Sequence, residues 1–144
     1  MASDIIVRAA LPEDAPDICR LNREFNGDDT ADAEMIALQL QNPGAEHCLV
    51  CVHSGETVGF ICGICFPSLC YRAPVGQLTE LYVQPSARRC GAATALVQAM
   101  VSHLHALGAS ELMLLTGEDN SAAQALYERC GFIRQDERCY QLFF

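Results

Sequence analysis

A mixed α/β fold is what the sequence predicts, on three observations. Apolar runs of strand length alternate with stretches whose apolar residues recur every three or four positions, and glycine or proline marks nearly every junction. The 144 residues, 51% of them hydrophobic and 19% charged, supply enough apolar material for one core but leave no room for a second. No internal repeat or low-complexity tract interrupts this order, so residues 1–144 read as one globular domain.

Ile5, Ile6 and Val7 form the first strand. Pro12, Glu13 and Asp14 suit the opening turn of a helix, where the amide that proline lacks would go unpaired anyway. Ile18, Leu21 and Phe25 then line one face until Asn26 and Gly27 end it. A second helix is expected over residues 31–41, with Ala31, Met35 and Leu38 sharing a face, an acidic first turn, and Asn42, Pro43 and Gly44 as its stop. Residues 47–53 and 57–66 read as a hairpin joined through Ser54, Gly55 and Glu56. A third strand over 77–83 stops at Gln84 and Pro85, and a polar turn leads through Gly91 into a helix over 92–107 that Gly108 ends. Residues 112–116 predict a buried strand, 121–130 a helix capped by Gly131, and 139–144 a last strand or a dimer contact. The sheet should be twisted, with helices on both faces.

The net charge of -9 is unevenly spread. Residues 1–60 hold eleven acids against Arg8, Arg20 and Arg23, while residues 61–144 hold seven acids against six arginines. That balance argues against nucleic acid, whose phosphates demand basic patches, and favours cationic small molecules or basic peptides. No apolar run approaches the ~18 residues of a membrane span and no export signal is visible, so no membrane partner is expected and the cytoplasm is the expected location. The nine cysteines then read as reduced thiols. Cys48, Cys51, Cys62 and Cys65 form two CxxC pairs with a zinc-like spacing, but residues three apart on a strand point to opposite faces, and no metal is expected. The four histidines show no ligand spacing.

The segment richest in chemistry runs from Leu78 to Thr94. A strand passes directly into a helix N-terminus, where several backbone amides converge and the helix dipole adds about half a positive charge. Small residues at Gly91, Ala92 and Ala93 let an anion approach the backbone, and Arg88 and Arg89 add charge; a pyrophosphate would suit. An ordinary strand-to-helix turn with two solvated arginines fits the same residues. Cys90, beside those arginines, would hold a stabilised thiolate.

The arrangement Arg88, two residues, Gly91, one residue, Ala93 resembles the acetyl-CoA loop of the GNAT superfamily of N-acetyltransferases. The preceding Leu81, Tyr82, Val83, Gln84, Pro85 matches that family's apolar, aromatic, Val, any residue, Pro strand end. Asn120, Ala123, Leu126, Tyr127, Gly131 and Phe132 are similar to its second signature. The likeness covers residues 77–132 well, with Ala93 where many members carry a second glycine.

The resemblance implies a mostly antiparallel sheet, acetyl-CoA as donor and a primary amine as acceptor, joined in a ternary complex. It implies that Leu81, Tyr82 and Val83 align the pantetheine arm and that Arg88, Arg89, Cys90, Gly91, Ala92, Ala93 and Thr94 hold the diphosphate. Asn120 would bind the arm or merely cap its helix. Glu80, the charged member of an apolar strand, is the candidate base, or else pairs with an arginine or faces solvent. Strand alternation would put it on one face with Leu78 and Tyr82. Tyr127 would protonate the departing sulfur, or else be a core aromatic. Glu24, Phe25 and Asp28, near Asp29, Asp32 and Glu34, would line an acceptor site for a polyamine, an aminosugar or a basic peptide end; a solvated acidic loop fits as well. A non-catalytic acyl-CoA-binding sensor or interaction module is the alternative, since it needs neither Glu80 nor Tyr127.

Overall fold

The computed structural model describes residues 4–144. Five strands, β1 (Ile5–Ala9), β2 (Glu46–His53), β3 (Glu56–Phe66), β4 (Val75–Val83) and β5 (Leu112–Met113), form one open sheet in that order. The first four pair antiparallel and β5 joins β4 in parallel. The β2–β3 turn holds Ser54 at φ 51° and Gly55 at φ 82°, the pair of positive values a type I′ turn requires to match strand twist.

Alternation along the strands builds two apolar layers. On one face Val50, Phe60, Cys62 and Tyr82 pack against Ile18 and Leu21 of α1 (Ala15–Asn26) and Ile36 and Leu40 of α2 (Ala33–Gln41). On the other, Leu49, Cys51, Ile61, Leu78 and Val83 meet α3 (Ala92–Ala106) and Leu126 of α4 (Ser121–Arg129). Leu96, Val97, Met100 and Leu104 of α3 are fully buried, each stabilising by roughly 1.5–3 kcal/mol. That packing fixes α3 on the sheet, and with it the direction of its N-terminus.

Before α1 a single 3-10 turn spans Pro12–Asp14. The buried Asp14 accepts two hydrogen bonds from Arg8, at 2.7 and 2.9 Å, and one from the Leu11 amide at 2.7 Å, which ties the start of the helical layer to β1.

The structure corrects four expectations. Helix α2 begins at Ala33, because the Asp32 carboxylate caps it by accepting from the Met35 amide at 2.9 Å. Its inward side is Ile36 and Leu40, both half-buried; Met35 and Leu38 are exposed, because this helix packs on α1 and the 3-10 turn with one side only. The strand expected over 112–116 pairs only at Leu112 and Met113, opposite Gly76 and Gln77. Just beyond Gln77, β4 bulges: Cys62 opposes Glu80 and Gly63 opposes Leu78, leaving Thr79 as the extra residue, and β4 and β5 part there. Finally, residues 139–144 form no strand and are exposed, since the ladder along β5 ends before reaching them.

Candidate active site

The bulge at Thr79 is the local device that builds the site. It breaks alternation, so Leu78 packs into the α3 layer while Glu80 turns toward α1, contrary to the face shared with Leu78 that simple alternation predicts. Glu80 is half-buried and accepts a hydrogen bond from Asn26 Nδ2 at 3.3 Å; Asn26 also donates to Asn22 Oδ1 at 2.7 Å. Thr79 donates its hydroxyl to Glu46 at 2.8 Å. No arginine pairs with Glu80 among the described residues.

Tyr82 anchors the next step of the strand. Its hydroxyl donates to Glu24 Oε2 at 3.1 Å, and its ring stacks on Phe25 with centroids 5.2 Å apart. The Arg88 guanidinium lies over the same ring at 5.7 Å. Burial, followed by the hydrogen bond to Glu24, holds the Tyr82 phenol above its ordinary value, with Arg88 pulling the other way. Arg88 Nε also donates to the Val83 carbonyl at 3.0 Å. That carbonyl therefore points away from β3, and Leu81, two residues back, presents its backbone groups to the same open edge. No β5 residue pairs with β4 there.

The loop from β4 to α3 takes a 3-10 turn over Pro85–Ala87 and reaches α3 through Gly91 in the left-handed region, at φ 86°. A Cβ at Gly91 would meet no atom within 4 Å, so the left-handed backbone conformation, not crowding, sets the demand for glycine. The first bond of α3 runs from the Ala95 amide to the Gly91 carbonyl at 3.0 Å, which leaves the amides of Ala92, Ala93 and Thr94 without intrahelical acceptors at the positive end of the dipole. Arg89 is exposed and itself left-handed at φ 74°. Cys90 donates its thiol to the Ala87 carbonyl at 2.7 Å, a contact that braces the turn.

Helix α4 closes the cleft. Asn120 caps it, its side chain accepting from the Ala123 amide at 3.2 Å. Tyr127 is half-buried against the α3 layer, with its ring edge-on to Phe132 at 5.8 Å. Burial pushes its phenol above the ordinary tyrosine value, and the negative forms of Cys130 and Glu80 push the same way. Between these elements lies a cavity of about 250 Å³ lined by Phe25, Leu81, Tyr82, Arg88, Ala93 and Leu126, among others. A larger cavity of about 390 Å³ lies beside Arg20, but there Arg20 is occupied by Gln84, Asp17, Glu24 and the Thr57 carbonyl, and none of the candidate site residues lines that cavity.

The structure thus brings together Glu24, Phe25, Glu80, Tyr82, Arg88 and the α3 N-terminus, and leaves Asp28 exposed on the α1–α2 link. The CxxC thiols diverge: Cys48 and Cys62 belong to the α1 layer, Cys51 and Cys65 to the α3 layer. Sequence reasoning missed Asn26. Its spacing from Asn22 marks a helix face, but its contact with Glu80 spans 54 positions and no local signal carries that.

The acetyltransferase (GNAT) family model matches residues 15–132. A mycothiol acetyltransferase of Geodermatophilus obscurus is 42% identical over 60 residues, which are 42% of this chain and 20% of that relative. The chain therefore spans about a fifth of the length of this curated relative. Among solved structures, an aminoglycoside acetyltransferase from an uncultured soil metagenomic sample superposes with a TM-score of 0.83 at 16% identity, covering 98% of this chain and 96% of that one. A ribosomal-protein-alanine N-acetyltransferase of Brucella melitensis does so at 0.81 and 21%, covering 97% and 99%. These two likenesses establish the fold.

Proposed function

Because the chain belongs to the GNAT family of acetyltransferases, we propose that it transfers an acetyl group from acetyl-CoA to a primary amine by direct transfer in a ternary complex. The observation that carries this reading is the cleft where β4, the α3 N-terminus and α4 meet, lined by Phe25, Leu81, Tyr82, Arg88, Ala93 and Leu126. The open space outside Gly91 and the amides of Ala92, Ala93 and Thr94 fit a diphosphate. The edge at Leu81 and Val83, which no strand covers, fits an extended amide-bearing arm laid down like an added strand.

Acetyl-CoA, when bound, supplies an acyl group already activated as a thioester. The residues of this chain then move protons. Glu80, oriented by Asn26, takes the proton that an alkylammonium with a pKa of ~10 must lose, through an intervening water. Tyr127, held protonated by burial, gives a proton to the departing sulfur. Glu24 accepts from the Tyr82 hydroxyl and pairs with Arg20 at 3.5 Å. Glu24 and Glu80, which lies on the same strand face as Tyr82, combine carboxylates with the Phe25–Tyr82 stack, which supports a cationic acceptor such as a polyamine, an aminosugar or a basic peptide end. The nine unbridged cysteines fit the reducing cytoplasm.

Release of thiol from acetyl-CoA, followed across polyamines, aminoglycosides and basic peptides, tests the reading. Turnover with a cationic amine is the expected result. Calorimetric binding of coenzyme A with no thiol release for any amine would replace it with the non-catalytic acyl-CoA-binding module.

A further inference from the structure

We propose that Cys48 and Cys62 are a redox-active pair that hydrogen peroxide converts into a cross-strand disulfide between β2 and β3, beside Glu80. The two residues are direct partners in the ladder, and Glu80 is the partner of Cys62 on its other side. Both thiols belong to the α1 layer, as alternation requires of residues that face each other across a ladder. The Cys48 carbonyl accepts from the Ala10 amide at 3.0 Å, so the polar backbone groups of Cys48 point to the β1 side. On the neighbouring strand the Val58 carbonyl accepts from the Gln84 amide at 2.8 Å, and Cys62, four residues on, therefore turns its own toward β4. Cys48 and Cys62 thus form a non-hydrogen-bonded pair, the kind that brings side chains closest. Such pairs hold their Cα atoms about 4.5 Å apart, within the ~4.4–6.8 Å that a disulfide spans.

Among the described residues no other cysteine faces a cysteine across a ladder. Cys51 opposes Gly59 and Cys65 opposes Gly76, and both lie on the other face of the sheet. Cys48 is half-buried and open to a small oxidant, whereas Cys62 is buried. A hydrogen bond to Cys48, burial and the Glu46 and Glu80 carboxylates hold the Cys62 thiol well above its ordinary value, so Cys62 stays protonated until its partner has reacted. Cys48 therefore reacts first. Its thiolate attacks one oxygen of the peroxide: an S–O bond forms, the O–O bond breaks, and hydroxide leaves to take up a proton as water. The Cys62 sulfur then attacks the sulfenic acid on Cys48, forming the S–S bond, breaking the S–O bond and losing its proton to the departing hydroxide as a second water. Two thiols give up two electrons and two protons, and the peroxide takes both. A dithiol reverses the change by exchange. The bridge is independent of acetyl transfer and can fail or hold without it.

Mass spectrometry of the full chain tests the proposal: a few equivalents of hydrogen peroxide are added, the remaining thiols are alkylated after denaturation, and the chain is cut after Glu56, which separates Cys48 from Cys62. The expected product is a pair of peptides joined through Cys48 and Cys62, lighter by two hydrogens and separated again by dithiothreitol, with the two sites losing alkylation in equal amounts. In Cys48→Ser the buried Cys62 should stay a free thiol under the same treatment. Cys48 oxidised to sulfinic acid with Cys62 still free, bridges that join other cysteines instead, or an equal loss of Cys62 in Cys48→Ser overturns the pairing. Should that variant fail to fold, the parent decides alone: the joined peptides support the bridge, and their absence overturns it.

Discussion

Glu80 and Tyr127 divide the proton transfers of the proposed reaction, and their settings differ in ways that can be measured. Glu80→Gln keeps the Asn26 contact in shape but removes the proton acceptor, so kcat should fall by about 10²-fold or more while coenzyme A binding is retained. An unchanged kcat would return Glu80 to a structural role. Tyr127→Phe keeps the ring contact with Phe132 and removes only the hydroxyl, so kcat should fall about tenfold or more while the circular dichroism is unaltered. Since burial raises the folded Tyr127 pKa, the alkaline limb it controls should lie above ~10. Asp14 makes a stability prediction of the opposite sign. The hydrogen bond from Arg8 holds its carboxyl below the ordinary value, so its contribution is complete above the unfolded value of ~3.9 and disappears as pH falls through the lower folded value. Asp14→Asn should cost about 1–3 kcal/mol in urea unfolding at pH 7, and the gap to the parent should narrow in acid.

At the scale of elements, the β4–α3 unit was the most legible part of the chain. Pro85, Gly91 and the apolar run from Ala92 each act locally, so their spacing alone fixes a strand, a turn and a helix start. Gly91→Ala should strain the left-handed turn by about 1–2 kcal/mol and weaken coenzyme A binding by more than it lowers Tm, because it disturbs the amides that the ligand would meet. Equal losses in the two measurements would mean that the turn serves folding alone. The bulge at Thr79 was not legible. Leu78, Thr79 and Glu80 alternate like any strand, and only the register against Cys62 and Gly63 reveals the extra residue that separates Leu78 from Glu80. The inward face of α2 was misread for a similar reason, since Ile36 and Met35 are equally apolar and the packing of α2 on α1 and the 3-10 turn chooses between them.

Across the whole molecule, charge and topology act together. With a net charge of -9 and Glu24 bonded to Tyr82 at the α1 side of the cleft, a cationic acceptor should be drawn in over distances that salt shortens. Raising ionic strength from ~0.01 to ~0.15 M cuts the screening length from about 30 to about 8 Å. The KM for such an acceptor should therefore rise severalfold while kcat stays constant; a KM indifferent to salt would assign the acids to solvent. The order of residues was enough to set the strands through β4, the existence of the four helices and the turns between them, the loop from β4 into α3 included, because propensity, capping and periodicity act within a few residues. Folding in three dimensions settled where Glu80 points, that Asn26 orients it, how early β5 ends and that residues 139–144 find no place in their own sheet. Each of those outcomes depends on pairing register between segments tens of residues apart, and a shift of one residue there leaves every local pattern as it was.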